Sequence, residues 1–421
     1  MRDECCFLII LKKVLFLFDK VAASPLIRFR EVMTNRSFRK VSGSLFVLTG
    51  LFFLNFTSRV IFAPLLPIIE GDFGLNHAAA SSFFLLISAG YFLSILASGF
   101  VSARITHRKT IVLSTIASGI VLMALSFCST LFSIRIGLFS LGLAAGLYLP
   151  SGLSTISRLV NPAHMARGMA VHELAPNLGF VAAPLLADMM LRCGSWQQGL
   201  MWLGLFMIGA GVFYGMAGEG CREYGKSLDI STARALLSRL EFWRLVLLFS
   251  LAICASLAIY GMLPLFLVSE QGMTPERVNR LLAFSRTAAL MMPLAAGWFG
   301  DRVGNRTIMA FVLMAAGLCT VMLGVVSSFS WLIVFVILQP MIAVSFFPSG
   351  FAVLSELVPE GEGALAVSLC IPLAFLLGGG LSPVLIGMIG DRASIGAGFM
   401  VTGAVMMAGA ALSFFVSFEK K

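Results

Sequence analysis

Twelve apolar stretches of roughly twenty residues follow one another along this chain of 421 residues, each long enough at 1.5 Å per helical residue to cross the ~30 Å hydrocarbon core of a bilayer. They cover 43–68, 78–103, 109–127, 131–157, 166–190 and 197–217, then 243–268, 276–300, 306–326, 329–357, 363–389 and 395–417. A backbone in lipid must satisfy its own polar groups, so this pattern predicts an all-α bundle of twelve transmembrane helices. Only 12% of the residues are charged, about half the share found in soluble domains. The net charge of +10 does not point to nucleic acid, because the Lys and Arg are scattered through short loops between apolar runs. Eight Cys show no paired or Cys/His ligand spacing, which supports neither a disulfide framework nor a metal site, and no cofactor is implied.

The chain also repeats itself. Gly297-Trp298-Phe299-Gly300-Asp301-Arg302-Val303-Gly304-Asn305-Arg306 follows a weaker copy, Gly99-Phe100-Val101-Ser102-Ala103-Arg104-Ile105-Thr106-His107-Arg108, by 198 positions. Pro150-Ser151-Gly152 and Pro348-Ser349-Gly350 lie at the same offset, and Pro64, Leu65 and Glu70 answer to Pro264, Leu265 and Glu270. Two six-helix bundles in the same order, related by a parallel repeat, are therefore expected at 43–217 and 243–417. Residues 218–242 form the linker, within which Ser231 is placed to cap a short helix carrying Ile230, Ala233, Leu237 and Leu240 on one side. Residues 1–42 form an N-terminal extension, with Met33 as the expected true start, and 418–421 form a tail. Basic residues concentrate on alternate loops, which places both termini in the cytoplasm of a cell whose inner (plasma) membrane holds the chain.

The second loop copy resembles the signature of the major facilitator superfamily, through Gly297, Asp301, Arg302, Gly304 and Arg306. The first copy keeps Gly99, Arg104 and Arg108 but has Ala103 where the Asp is expected and Thr106 where the second Gly is expected. The resemblance implies two bundles rocking around a midplane cavity, with Asp301 serving a cytoplasmic gate and one of two latches weakened by Ala103.

Ionisable residues inside membrane helices are costly, so each is a candidate site. Arg59 lies about 22 Å along the first run and Arg286 about 15 Å along the eighth, the depths of a central cavity. Asn55 is one turn before Arg59. Arg135 either lines the cavity or snorkels outward. The fifth run carries His172, Glu173 and Asn177, where the Asn177 amide is four residues from Glu173 and placed to hold its carboxyl. His172 is turned by about 100° from Glu173, so one of the two faces the cavity. Either is a candidate proton carrier, and the alternative for Glu173 is a gate ion pair with Arg158 or Arg167.

A net positive cavity prefers an anion. Asn55 to Arg59, then Pro64 and Glu70-Gly71-Asp72, look like the first helix of organic-anion and sugar-acid transporters of the superfamily, as does Arg135 followed by Gly142, Gly146 and Pro150. Those transporters often carry an acidic residue near Ala144 or Ala145 that takes the coupling proton; its absence leaves His172 or Glu173 for any H+ coupling. The expectation is a secondary active transporter of a small organic anion, with the lipid bilayer, that substrate and H+ as its partners. An exporter of drug-like or lipid-like compounds is the rival on the same fold, suggested by Gly179, Ala183, Pro184 and Ala187, which look like a degraded Gly-Pro motif of drug antiporters. A non-transporting sensor is the rival of another class. An enzyme is not expected, for no nucleophile, metal or paired-carboxylate constellation appears.

Overall fold

A computed structural model describes residues 38–161, 164–221, 223–225, 230–356 and 363–415, and every regular element among them is helical. Eleven helical runs are long and apolar enough to span a membrane: α1 (Val41–Phe73), α2 (His77–Ile105), α3 (His107–Ser126), α4 (Leu131–Leu159), α5 (Arg167–Cys193), α6 (Trp196–Ala217), α7 (Leu240–Ser269), α9 (Asn305–Val325), α10 (Phe329–Ser355), α11 (Ala366–Arg392) and α12 (Ile395–Phe415). The twelfth, α8, is present as Pro275–Ala289 and Met292–Val303. It is interrupted at Leu290–Met291, and Glu276, Arg277, Arg280 and Arg286 all lie in its first half.

Prolines explain where the runs break. Each lacks the N–H that would reach the carbonyl four residues back. The breaks at Ile61, Leu147, Leu290–Met291 and Val344–Ser345 fall at or beside the positions deprived by Pro64, Pro150, Pro293 and Pro348. In α11 the chain adjusts differently. A π-helical stretch, Phe375–Leu381, precedes Pro383, and a second, Cys254–Ala258, lies in α7 ahead of Pro264. The Gly378-Gly379-Gly380 run thus lies in a π-turn.

Duplication is visible in the packing. A Cβ on Gly119 of α3 would meet the Gly204 carbonyl oxygen of α6 at 2.6 Å, and one on Gly317 of α9 would meet the Gly403 carbonyl oxygen of α12 at 2.7 Å. The two bundles therefore close the same helix pair through the same glycine contact, where only small residues let backbones approach this far.

The bundles meet at the face away from the chain ends, called the distal face here. There the Asp391 carboxylate of α11 accepts hydrogen bonds from the backbone N–H of His77 (2.8 Å) and Ala78 (3.1 Å), a negative charge on the N-terminus of α2. Gly387 leaves room for this approach, since a Cβ there would stand 2.6 Å from the His77 carbonyl oxygen. Glu70 and His77 pair at 3.0 Å beside it.

On the opposite, terminal face, the linker straps the α2–α3 loop. His107 and Arg108 donate backbone hydrogen bonds to Glu223 and Cys221, and Gly225 donates to Ser102. The linker helix forms over Ile230–Leu237, which puts Ser231 inside it rather than at its cap. Leu236 is buried and Ala233 packs against the core, while Leu237 and Leu240 are exposed, so of the face expected from Ile230, Ala233, Leu237 and Leu240 only Ala233 is seen to pack, the Ile230 side chain lying outside the described residues. The expected extension at 1–42 is helical from Phe38 onward, as the start of the first helix; Met33, residues 1–37 and the tail 418–421 lie outside the described residues.

Candidate functional site: a cleft between the bundles

Thirteen residues line a narrow cleft with a cavity volume of about 30 Å³, drawn from α1, α2, α7 and α11. Arg59 contributes its charge. Its helix spans 33 residues from Val41, about 50 Å at 1.5 Å per residue, which puts Arg59 about 27 Å in, at mid-depth. Arg59 is only 7% exposed, and its guanidinium lies over the Tyr91 ring at 4.1 Å and beside the Phe56 ring at 5.3 Å. These aromatic faces partly offset the cost of burying a cation. Among the described residues no carboxylate pairs with it, and its Nε has no hydrogen-bond partner.

Arg286 is built in the same way one layer behind. It is 5% exposed and sits over Phe180 at 4.4 Å and Tyr260 at 4.8 Å, and Tyr260 is itself part of the cleft wall. Nη2 donates to the Ser256 carbonyl at 2.7 Å, within the π-turn of α7, while Nη1 has no partner among the described residues. Gln339 donates to the neighbouring Ala255 carbonyl at 2.8 Å. Carbonyls of the π-turn are thus held from α8 and α10. Both π-turns feed the cleft: Leu257, Phe375 and Gly379 come from them directly, in keeping with the frequent use of such turns at functional sites.

The other expected binding residues are placed differently. Asn55 is fully buried and donates to the Ala145 carbonyl at 3.0 Å and to Ser114 at 3.4 Å. It fastens α1 to α4 and α3 and does not line the cleft, contrary to what its spacing from Arg59 suggests. One turn of helix separates the two, but the amide points toward α4 and the guanidinium toward α2. Arg135 is half-buried near the distal end of α4 and is not part of the cleft wall either.

In the fifth helix, His172 rather than Glu173 points inward. Its ring is completely buried and stacks on Phe52 at 4.4 Å and on Tyr148 at 6.0 Å. Tyr148 donates its hydroxyl proton to the Leu48 carbonyl at 2.7 Å, so the hydroxyl accepts from His172 Nε2, 3.4 Å away. This network places a proton on Nε2. Nδ1 has no hydrogen-bond partner among the described residues and lies 3.8 Å from the Glu173 carboxylate, whose side chain is 59% exposed. Asn177 donates to the Glu173 backbone carbonyl at 2.9 Å and not to its carboxyl, so the expected side-chain clasp is absent. Arg158 pairs with Glu223 of the linker at 2.7 Å, so it does not serve Glu173.

The repeated loops share one backbone feature. Thr106 has φ +77° and Gly304 has φ +96°, so the second Gly of the motif answers a need for a left-handed turn that Thr106 meets under strain. Arg108 donates to the Gly215 carbonyl at 2.9 Å, favourable for a cation at the C-terminal end of α6. Arg104 is exposed and Gly99 half-buried. Arg302 lies 3.7 Å over the Trp298 ring, and Gly300 allows α8 to come close to Ser349 of α10, whereas Gly297 is under no such constraint. The Asp301 side chain lies outside the described residues. Sequence reasoning missed Phe84, Phe375, Ser88 and Gly261 in the cleft wall, since a Phe or Gly that faces a cleft carries no signal distinct from one that faces lipid.

Comparison with known proteins adds the following. The chain matches the Major Facilitator Superfamily over residues 48–285 and again over 281–421. It is 23% identical over 316 residues to the uncharacterized MFS-type transporter YuxJ of Bacillus subtilis (strain 168), covering 73% of this chain and 80% of that protein. Among solved structures, a bacterial homolog of the human lysosomal transporter Spinster, inward-facing and occupied, superposes with a TM-score of 0.77 at 15% identity over 91% of this chain and 97% of its own. A POT family transporter in complex with 5-aminolevulinic acid gives 0.75 at 14% identity over 91% and 98%. A variant of the nucleoside transporter NupG gives 0.74 at 14% identity over 89% and 99%. At these identities the structures share a fold with this chain.

Proposed function

Because this chain belongs to the Major Facilitator Superfamily and is a membrane transporter rather than an enzyme, we propose that it carries a small organic anion by secondary active transport. The carrying observation is the pair of buried guanidiniums, Arg59 and Arg286, that face the bundle interface with aromatic rings and, among the described residues, no carboxylate beside them. A cation buried without a counter-ion is an incomplete ion pair, and a carboxylate or similar head completes it through the two-pronged geometry of guanidinium. Arg59 is the direct ligand. Arg286 adds positive potential from behind Tyr260 and has Nη1 free to reach in as the wall moves.

Alternating access is then a rocking of 43–217 against 243–417, with 218–242 as the tether and both termini in the cytoplasm of a plasma-membrane protein. In that orientation the state described here is closed to the outside by the Asp391 contact with α2. The Gly297, Asp301, Arg302, Gly304 and Arg306 segment serves the cytoplasmic gate, with Gly99, Arg104 and Arg108 as its counterpart. His172 Nδ1 takes the coupling proton, with Glu173 as the relay to water.

Uptake into proteoliposomes tests both parts. An imposed pH gradient should drive uphill accumulation of anion by the wild-type protein. His172→Gln should lose that accumulation while still exchanging labelled for unlabelled substrate at equal pH. Accumulation unchanged in His172→Gln would remove protons from His172, and exchange unaffected in both Arg59→Gln and Arg286→Gln would remove the anion site.

A further inference from the structure

We infer that the anion taken by this cleft is amphipathic, a single acidic head on an apolar or aryl body, rather than a polyhydroxylated acid. The inference rests on the anion reading above and adds the substrate's body to its head.

One guanidinium lines the cleft, so there is one fork for one head. With Tyr91 and Phe56 against its faces, the edges of that guanidinium, where its N–H groups lie, are what remain for an oxygen pair. Beyond Arg59 the wall holds no acid, amide or other cation, and its further polar side chains are the hydroxyls of Ser88, Tyr91 and Tyr260. One of these is already engaged, since Tyr260 donates to the Phe180 carbonyl at 3.4 Å.

A sugar acid brings several hydroxyls that water satisfied and this wall cannot, at roughly tenfold in affinity for each one left unpaired. The remaining surface suits the opposite chemistry. Phe84 of α2 and Phe375 of α11 both line the cleft, as do Gly261 and Gly379, which add no side chain to it. An added Cβ at Gly261 would meet the Phe84 ring at 3.2 Å, so the ring packs directly on the glycine, and the two together form one wall of an apolar slot in the cleft. A methylene moved from water into such a slot tightens binding roughly fourfold.

The test uses the full-length protein in detergent and measures equilibrium binding of straight-chain carboxylates from butyrate to decanoate, of 4-phenylbutyrate, of gluconate and glucuronate, and of octylamine. Affinity should climb roughly fourfold per methylene and then level off as the slot fills. 4-Phenylbutyrate should exceed gluconate at least a hundredfold, and octylamine should not compete. Gly261→Leu, which puts a side chain into the slot, should move the plateau to shorter chains, a shift that partitioning into detergent would not produce.

Gluconate or glucuronate binding as tightly as 4-phenylbutyrate, and lost in Arg59→Gln, would overturn the amphipathic body and keep the anion site. A series in the wild-type protein that is flat from butyrate to decanoate would overturn it without any variant. Octylamine matching octanoate, with Arg59→Gln unchanged for both, would overturn this inference and the anion reading together.

Discussion

Replacing Arg59 by Gln should move stability and binding in opposite directions. Burying an ion costs several kcal/mol even after relaxation. Stacking over Tyr91 at 4.1 Å and Phe56 at 5.3 Å returns about 2 to 3 kcal/mol at a desolvated position. The residue left over, with no carboxylate partner among the described residues, is a net penalty of roughly 2 kcal/mol. Gln removes it but brings a buried amide that costs about 1 kcal/mol if imperfectly paired. The ligand-free variant should therefore gain about 1 kcal/mol and unfold at a temperature a few degrees higher at the same scan rate. Anion affinity should fall by about 10- to 150-fold, since a hydrogen bond to a charged group contributes about 1.5–3 kcal/mol. Thermal unfolding with and without 4-phenylbutyrate reads both quantities in one experiment. An arginine that merely holds helices together would lower the melting temperature of the ligand-free protein on removal, and that result would refute the reasoning.

Two further outcomes follow from backbone geometry. Thr106→Gly should stabilise the protein by about 1 kcal/mol, the strain of a β-branched residue at φ +77° being about 1–3 kcal/mol and the entropic cost of a new glycine about 0.5–1 kcal/mol; a lower melting temperature would show that the loop is unstrained. Gly387→Leu leaves its Cβ 2.6 Å from the His77 carbonyl oxygen and 2.4 Å from the Ser81 hydroxyl, so α11 must leave α2 at the distal face. Amide exchange at His77 and Ala78, the two N–H groups held by Asp391, should then speed up at least tenfold by mass spectrometry, whereas unchanged exchange would mean that this contact does not close the face.

The twelve helices were legible in the sequence because apolar runs of this length have one fate in lipid. The repeat announced itself because loop motifs keep their spacing. Helix interiors were legible only in part. Proline marked the breaks at Ile61, Leu147, Leu290–Met291 and Val344–Ser345, yet whether the deprived carbonyl gives a kink, as at Leu147, or a π-turn, as at Phe375–Leu381, depends on neighbours that a single helix does not contain. The same limit applies to the site. Depth picked out Arg59 and Arg286 correctly as buried, since the expense of a charge in lipid is a property of one residue. Direction around the helix is a property of two, which is why Asn55 went to α4 and why the inward member of the His172 and Glu173 pair was not decided until Phe52 and Tyr148 were seen stacked on His172.

The repeat also shows which parts of the molecule are scaffold and which are chemistry. At an offset of 198 positions Gly119 becomes Gly317 and Pro150 becomes Pro348, and the packing at both glycines is the same. At that offset Arg286 corresponds to Ser88, and at the offset of 200 that relates Pro64 to Pro264, Arg59 corresponds to Ile259. Each bundle therefore has one buried arginine where the other bundle has an uncharged residue. A carrier built from two equal halves would present its cargo with the same wall twice and bind it equally in both orientations. Here the only charge in the cleft wall comes from α1, and the π-turns come from α7 and α11 of the other half. If the substrate is the anion proposed above, its head on Arg59 would be held by one bundle while its body would touch walls from both, so the same molecule would span the moving interface. That arrangement lets occupancy, rather than either half alone, bias the passage between states.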